Sequence, residues 1–399
     1  MKPTDIRAIK LLNSRGDFSI AVRVKTDDGV EAWGQAPAGA SKGKFEARDY
    51  IDGVDKSILF FNKFANKFLR YFEFNSFDDL KEVESKIPAE KFGASATIAL
   101  EYALLNALAA TRKEKLWETL NPNAKKLPRI LANVVGGGAH SVRGLDIQEI
   151  LISPQTNSVA EAVQACTWVY NNLKKVIAAH DKNFLGAKTD EGAWATGLQD
   201  WEAIHLVDKI RSKYIATKID LGIDLAATQI MKGGKYFWRN FSDKQKGLHL
   251  DEKKQIEVVQ ELIDHFDLSY VEDPLHQEAF NGFAKLLENA KRYKHRLICG
   301  DDLTVTNLDR LKTAIKHKAI NAIIIKPNQI GSLIKAKQAF DFALKNNIVP
   351  VVSHRSSEPA DGTLAHIAFA WQAPFVKFGL AGGERAVKLN ELMKIEQNL

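Results

Sequence analysis

Six times in the second half of this 399-residue chain a short apolar run ends directly on charged residues. The runs are 217–221 before Asp224, 268–271 before Glu272 and Asp273, and 297–299 before Asp301 and Asp302. They continue with 322–325 before Lys326, 348–352 before His354 and Arg355, and 375–376 before Lys377. Most intervals hold one amphipathic helical segment, as at 338–344. Strands alternating with helices at this pace predict an α/β protein with a parallel sheet, and a long enough series closes into a barrel. Functional groups of such barrels gather at the carboxyl ends of the strands. Three acids, two lysines and a histidine are therefore expected to face one pocket. Acids that collect a cation, beside lysines able to take a proton, suit proton abstraction next to a carboxylate.

The length accommodates a barrel of about 250 residues and one smaller domain. A hydrophobic content of 45% and a charged content of 26% are those of an ordinary globular chain. No run reaches the 18 or so apolar residues of a membrane span; Glu101 and Asn106 interrupt the best candidate, 97–110. The amino terminus carries Asp5 and no apolar stretch, so no secretory signal is expected. Cys166 and Cys299 lie far apart, form no metal-type pair, and suit a reducing cytoplasm. The net charge of +7 comes from lysines spread over helix faces among acids, without a basic block or interleaved aromatics. Nucleic acid and membrane are accordingly not expected as partners, whereas a modest positive field would draw in a small anion.

Phe18, Ile20, Val22 and Val24 alternate and lead to Asp27-Asp28-Gly29, a hairpin signal, with 30–33 returning as the partner strand. A mobile loop is expected over 35–44, rich in glycine, alanine and serine. Phe61, Phe64, Phe68 and Phe72 recur at helical intervals and predict the core face of a helix. Alanine and leucine predict a long helix over 92–120. Pro122 and Pro128 bracket a polar run that breaks both periods. It separates an amino-terminal α+β domain, 1–125, from a barrel domain, 126–399.

Asp224, Glu272 and Asp301 are one or two barrel units apart, so three oxygen ligands converge on the barrel mouth. Hard oxygens without paired His or Cys favour magnesium over zinc. Singly, each acid has a plainer explanation as a helix cap or a lysine partner. Glu149 and Glu191 form a second pair, able to act as general acids if burial or acidic neighbours raise their pKa. Lys326 follows an apolar run that should be buried, where Lys377 and a bound cation would lower its pKa and make it a base. Ser353, His354, Arg355 and Ser356 together form a phosphate cradle. His140 ends a flexible triple-glycine turn that is by itself only a turn.

Longer blocks carry more. The segments 271–274 (Val-Glu-Asp-Pro), 300–307, 325–331 (Ile-Lys-Pro-Asn-Gln-Ile-Gly) and 352–356 resemble those of the enolase family, the phosphopyruvate hydratases. So do Ser14-Arg15-Gly16, Gly39-Ala40-Ser41, Phe92-Gly93-Ala94, Gln148-Glu149, Asp190-Glu191-Gly192 and the closing 384–390. The resemblance runs in order from about residue 13 to about residue 396. It implies an enolase-type (β/α)8-like barrel whose first strands depart from strict alternation, capped by an α+β domain. It also implies a homodimer or higher homo-oligomer, a glycolytic role, and reversible dehydration of 2-phosphoglycerate to phosphoenolpyruvate. By the same carry-over Asp224, Glu272 and Asp301 hold a first Mg2+, and Ser41 completes a second with the substrate phosphate. Lys326 removes the proton beside the carboxylate, and Lys377 helps to hold the resulting enolate. Glu191 protonates the departing hydroxyl, assisted by Glu149. His140, Gln148 and His354 contact substrate, while Arg355 and Ser356 bind its phosphate.

The chain departs from the enolase pattern around these groups. Ala38 stands where Ser is usual, Gly136 for Asn, Ala193 for Gly and Trp194 for Phe. Gln229 stands for Glu, Ser357 for Gly, Phe378 for Thr, and Asn13 where Asp is common. The stretch from Lys377 to Glu384 is one residue short and lacks an arginine typical there. No acid, base or ligand named above is lost. Changes to residues that orient such groups cost about 10- to 100-fold in activity. Two rival readings are another superfamily enzyme, such as a sugar-acid dehydratase, and a paralogue of weak or shifted activity that binds or scaffolds. The 353–356 cradle and the absence of a Lys-x-Lys pair near Lys188 disfavour the dehydratase.

Overall fold

The computed structural model describes residues 1–39, 43–142, 144–242, 247–290 and 296–399. The amino-terminal part is an antiparallel meander of Pro3–Leu12, Phe18–Thr26 and Glu31–Ala36. Ile20, Val22 and Val24 are fully buried, as their alternation predicts, while Phe18 is exposed. Gly29 turns the second hairpin at φ +87°, a conformation that costs glycine least. The helix Val54–Leu69 lies against the edge strand Pro3–Leu12. There Asn62 and Asn66 satisfy the backbone N–H and C=O of Ala8 and Ile6 at 2.7–2.9 Å. A strand edge is thereby closed by two side-chain amides rather than by another strand.

The helix Ala94–Arg112 packs across the sheet. At Gly34 an added Cβ would stand 2.3 Å from the carbonyl oxygen of Ala99, so only glycine permits this approach. Length and composition would let this helix cross a membrane, so Glu101 and Asn106 do not disqualify it as expected. Its surface is taken by protein instead: 83% of the apolar window is buried. The single helix expected over 92–120 is broken at Lys113, which turns left-handed at φ +58°, before Leu116–Leu120 resumes.

Among the described residues eight strands close a barrel: Arg129–Gly136, Glu149–Pro154, Ile219–Asp224, Tyr270–Glu272, Leu297–Gly300, Ala322–Ile325, Val349–Ser353 and Phe375–Lys377. Closure is made by Phe375–Lys377 running parallel to Arg129–Leu131. The six expected strands are all present, with ends shifted by at most three residues. Glu149–Pro154 alone runs antiparallel to both neighbours. An α/β barrel with irregular first strands is thus what the chain forms.

The domains meet at the amino end of helix Leu333–Lys345, capped by the Ser332 hydroxyl. Ser332 also donates to Glu84 at 2.7 Å, and the fully buried Glu101 accepts from the Leu333 N–H at 2.9 Å. Burial first, then Glu84, pushes the Glu101 carboxyl well above its usual range. A raised carboxyl binds its proton in the folded state and loses it on unfolding. Stability from this group is therefore full below the unfolded pKa and declines as pH rises above it. Glu101→Gln mimics the protonated form. It should raise the thermal midpoint at pH 7 and leave it unchanged near pH 4, each intervening pH unit contributing up to about 1.4 kcal/mol. Equal midpoint shifts at both pH values in a thermal melt would contradict this.

Candidate active site

Alternation along the strands builds the site. Leu131, Leu151, Tyr270, Cys299, Ala322, Ile324 and Val351 form a separate apolar cluster filling the barrel interior. Side chains two residues apart share a face. Tyr270 is thus followed by Glu272, Cys299 by Asp301, Ile324 by Lys326, and Phe375 by Lys377. Glu149 comes from the reversed strand, two residues before Leu151. Reversal sets it opposite Asp224, which in turn stands opposite Glu272.

Lys377 Nζ lies 2.8 Å from Glu272 Oε2, 3.0 Å from Asp224 Oδ2 and 3.2 Å from Glu149 Oε2. Burial opposes its charge, but Asp224, Glu149 and Glu272 outweigh burial and hold the ammonium well above its usual range. Lys326 Nζ donates to Asp301 Oδ2, whose other oxygen accepts from Gln329 at 2.8 Å. Burial likewise opposes the Lys326 charge, and Asp301 more than offsets it. The lowered pKa expected at Lys326 is therefore not found, because its nearest neighbour is an anion.

Glu149 and Glu191 also part company. Burial drives the Glu149 carboxyl well above the ordinary range. Burial would do the same to Glu191, but His140, His354 and Arg385 overcome it and hold that carboxyl well below. His140 Nδ1 is 2.8 Å from Asp190 and its Nε2 is 3.5 Å from Glu191, while His354 Nε2 is 3.9 Å from Glu191. The imidazole of His354 is held well below its usual range, by burial and then Arg385. Gln148 lines the same cleft.

Seven carboxyl groups line the cleft among the described residues: Glu46, Glu149, Glu191, Asp224, Asp273, Asp301 and Asp302. Lys326 and Arg355 are the permanent cations lining it. Burial and Asp224 push Glu272 up to about 8, and burial and Asp301 push Asp302 up to about 7. Glu272 Oε1 is buried without a hydrogen-bond partner. So many oxygens with so little compensating charge fit a hard divalent cation at Asp224, Glu272 and Asp301. A second grouping, His140, Glu149 and Glu191, has candidate ligand atoms within 4.8 Å of one another. Its imidazole is engaged by Asp190, which makes it the poorer oxygen site.

Sequence reasoning missed several members. Glu46 pairs with Arg355 at 2.8 Å, closing the 353–356 cradle with a carboxylate. Asp273 accepts the N–H groups of Asp301 and Asp302. Arg385 is fully buried and donates to the carbonyls of Arg355, Ser356 and Asp190, tying two loops to its own helix. Ser356 lines the cleft. Ser41 lies outside the described residues, as does part of the loop expected over 35–44. Within that loop Gln35 and Ala36 end a strand, and Ala38 bridges to Ser357.

Four of the departures from the enolase pattern meet in pairs. Ala38 and Ser357 exchange backbone hydrogen bonds at 3.0 and 3.2 Å. A Cβ at Gly136 would stand 2.9 Å from Thr189 and 3.4 Å from the Cβ of Ala193. Gln229 lines the acid-rich cleft, where an amide adds no further negative charge.

Comparison with known proteins accords with this geometry. The description "Enolase, N-terminal domain" matches residues 4–120, and "Enolase, C-terminal TIM barrel domain" matches 124–399. The chain is 36% identical to the enolase of Pyrobaculum aerophilum, over 99% of this chain and 96% of that protein. It is 35% identical to the enolases of Natronomonas pharaonis and Methanocorpusculum labreanum, over 99% of each chain in both cases. With both domain descriptions matched in order and relatives aligned from end to end, the chain belongs to the enolase family of lyases.

Proposed function

We propose that this protein interconverts 2-phosphoglycerate and phosphoenolpyruvate with Mg2+, as a cytoplasmic glycolytic homodimer or larger homo-oligomer. The observation that carries the reading is the carboxylate excess around Lys326 and Lys377. An anionic substrate would be repelled from such a cleft unless cations joined it. Asp224, Glu272 and Asp301 would hold one magnesium ion and Ser41 would help to hold a second, and the metal would supply charge to stabilise the negative charge developing on the substrate carboxylate.

The remaining work falls to side chains. Lys326 accepts the proton from the carbon beside the carboxylate at Nζ. Asp301 now holds a proton on that nitrogen, so engaging the Asp301 oxygens elsewhere lowers the proton affinity of Lys326. Lys377 faces the developing enolate with its charge secured by three acids. Glu149 and Glu191, pushed apart in pKa, form an uneven pair of the kind that divides acid and base roles. Glu149 keeps a proton in the folded protein, whereas Glu191 is ionised at the histidines, so Glu191 passes a proton to the departing hydroxyl only after taking one up from neighbouring Glu149. His140, Gln148 and His354 orient the substrate, while Arg355 exchanges Glu46 for the phosphate beside Ser356.

Purified protein given 2-phosphoglycerate should form phosphoenolpyruvate with Mg2+ and stop when the metal is chelated. Absence of turnover at ample protein and Mg2+ would sink the proposal. Lys326→Ala should abolish exchange of the substrate's α-proton with solvent, read by NMR in deuterated buffer. Exchange at the wild-type rate would remove Lys326 as the base.

A further inference from the structure

The phenylalanine-rich helix Val54–Leu69 has no part in the chemistry above, and its outer face differs from the core face its spacing predicts. Phe61 is fully buried, but Leu59 is 74% exposed, Phe60 40%, Phe68 38% and, just beyond the helix, Tyr71 58%. Lys56, Lys63, Lys67 and Arg70, all exposed, recur at helical spacing between Leu59 on one flank and an aromatic strip of Phe60, Phe64 and Phe68 on the other. None of these four cations is in an ion pair among the described residues, and the helix's only acid, Asp55, is taken by Lys10 at 2.7 Å. Two parallel strips, one cationic and one aromatic, therefore run along one solvent face.

We propose, against the expectation drawn from composition that no membrane is a partner, that this face docks on an anionic lipid surface, its aromatic strip entering the headgroup boundary and its cations meeting lipid phosphates. An interfacial helix combines an apolar face with lysine and arginine in this way, without crossing the bilayer. The long cationic side chains can reach past the apolar strip to the headgroups. Phosphates of a nucleic acid would also suit the cations, but the rings are poorly disposed for base stacking. Phe60 packs on Phe64 at 4.9 Å and Phe64 stacks on Phe68 at 5.7 Å, so these rings occupy one another's faces. A second copy is disfavoured too, because a two-fold contact through this face would set four cations without ion pairs against four others. The opposite side of the helix is anchored by Asn62 and Asn66 to the edge strand, so the face is rigidly presented.

The test is sedimentation of the full-length protein with vesicles of phosphatidylcholine alone or mixed with phosphatidylglycerol. Binding is expected with the anionic vesicles only, and should be lost at high salt. Lys63→Gln with Lys67→Gln should weaken partitioning about 25-fold, at about fivefold per cation near an anionic surface. Phe60→Ser with Phe68→Ser should weaken it as well, with unchanged turnover and circular dichroism for both double variants. The proposal is overturned if wild-type protein stays in the supernatant, or if the lysine variant sediments as well as wild type. It is equally overturned if single-stranded RNA binds where vesicles do not, or if the face becomes protected from hydrogen exchange by self-association alone.

Discussion

A closed barrel leaves its strands one choice at each residue, inward or outward, and this two-residue period is the constraint on which the site depends. The inward positions must fill a narrow interior low down and present chemistry higher up. Ile324 and Lys326, Cys299 and Asp301, and Phe375 and Lys377 solve this with one apolar residue and one charged residue each. The period applies equally to a strand running the other way, where the charged residue comes first. Glu149 precedes Leu151 for that reason, and reversal carries it to the level of Asp224. Tyr270 brings a hydroxyl into the apolar layer, and that hydroxyl donates to Glu272 at 2.5 Å rather than remaining unpaired.

Collecting charge on so small a ring has a cost that only mutual pairing can offset. Removing one partner of a buried charge pair typically costs about 3–5 kcal/mol, against a total stability of about 5–15 kcal/mol for a domain. Lys377, touching Glu149, Asp224 and Glu272, therefore ties three strands together as much as it equips the cleft. Arg385 does the same for loops, with three carbonyl acceptors from two regions, at Asp190 and at Arg355 and Ser356, that are distant in sequence. The Glu46–Arg355 pair shows that the proposed phosphate cradle, too, has a partner from within the chain. Stability and ligand binding draw on the same charges, so a ligand must replace contacts rather than merely add them.

What could be read in the sequence was what repeats. Apolar runs ending on charge locate six strands and, through them, Asp224, Glu272, Asp301, Lys326 and Lys377. The strands Arg129–Gly136 and Glu149–Pro154 escape because a short connection joins them without the helix that marks the later units. Glu46 and Arg385 escape because their partners are far along the chain, and no local pattern encodes such meetings. The phenylalanine spacing reveals a helix but not which of its faces turns inward. Sign is harder still: Lys326 was expected to lose its proton readily, yet a single carboxylate at hydrogen-bond distance reverses the shift.

The departures from the enolase pattern acquire a physical meaning once their positions are known. Gly136 and Ala193 adjoin, so bulk missing from one is met by a methyl on the other. Packing at interior density leaves little room for both sites to carry large side chains, and an exchange of volume between neighbours is what cores tolerate best. Ala38 and Ser357 face one another across a two-residue bridge, where the hydroxyl usual at the first position stands at the second. Changes that meet in contacting pairs conserve the cavity they surround, whereas scattered losses would erode it. The acids, lysines and histidines of the cleft keep their positions within that repacked wall. Divergence here has altered how the site is held and, at Gln229, one side chain of the cleft lining, while leaving the expected acids, lysines and histidines in place.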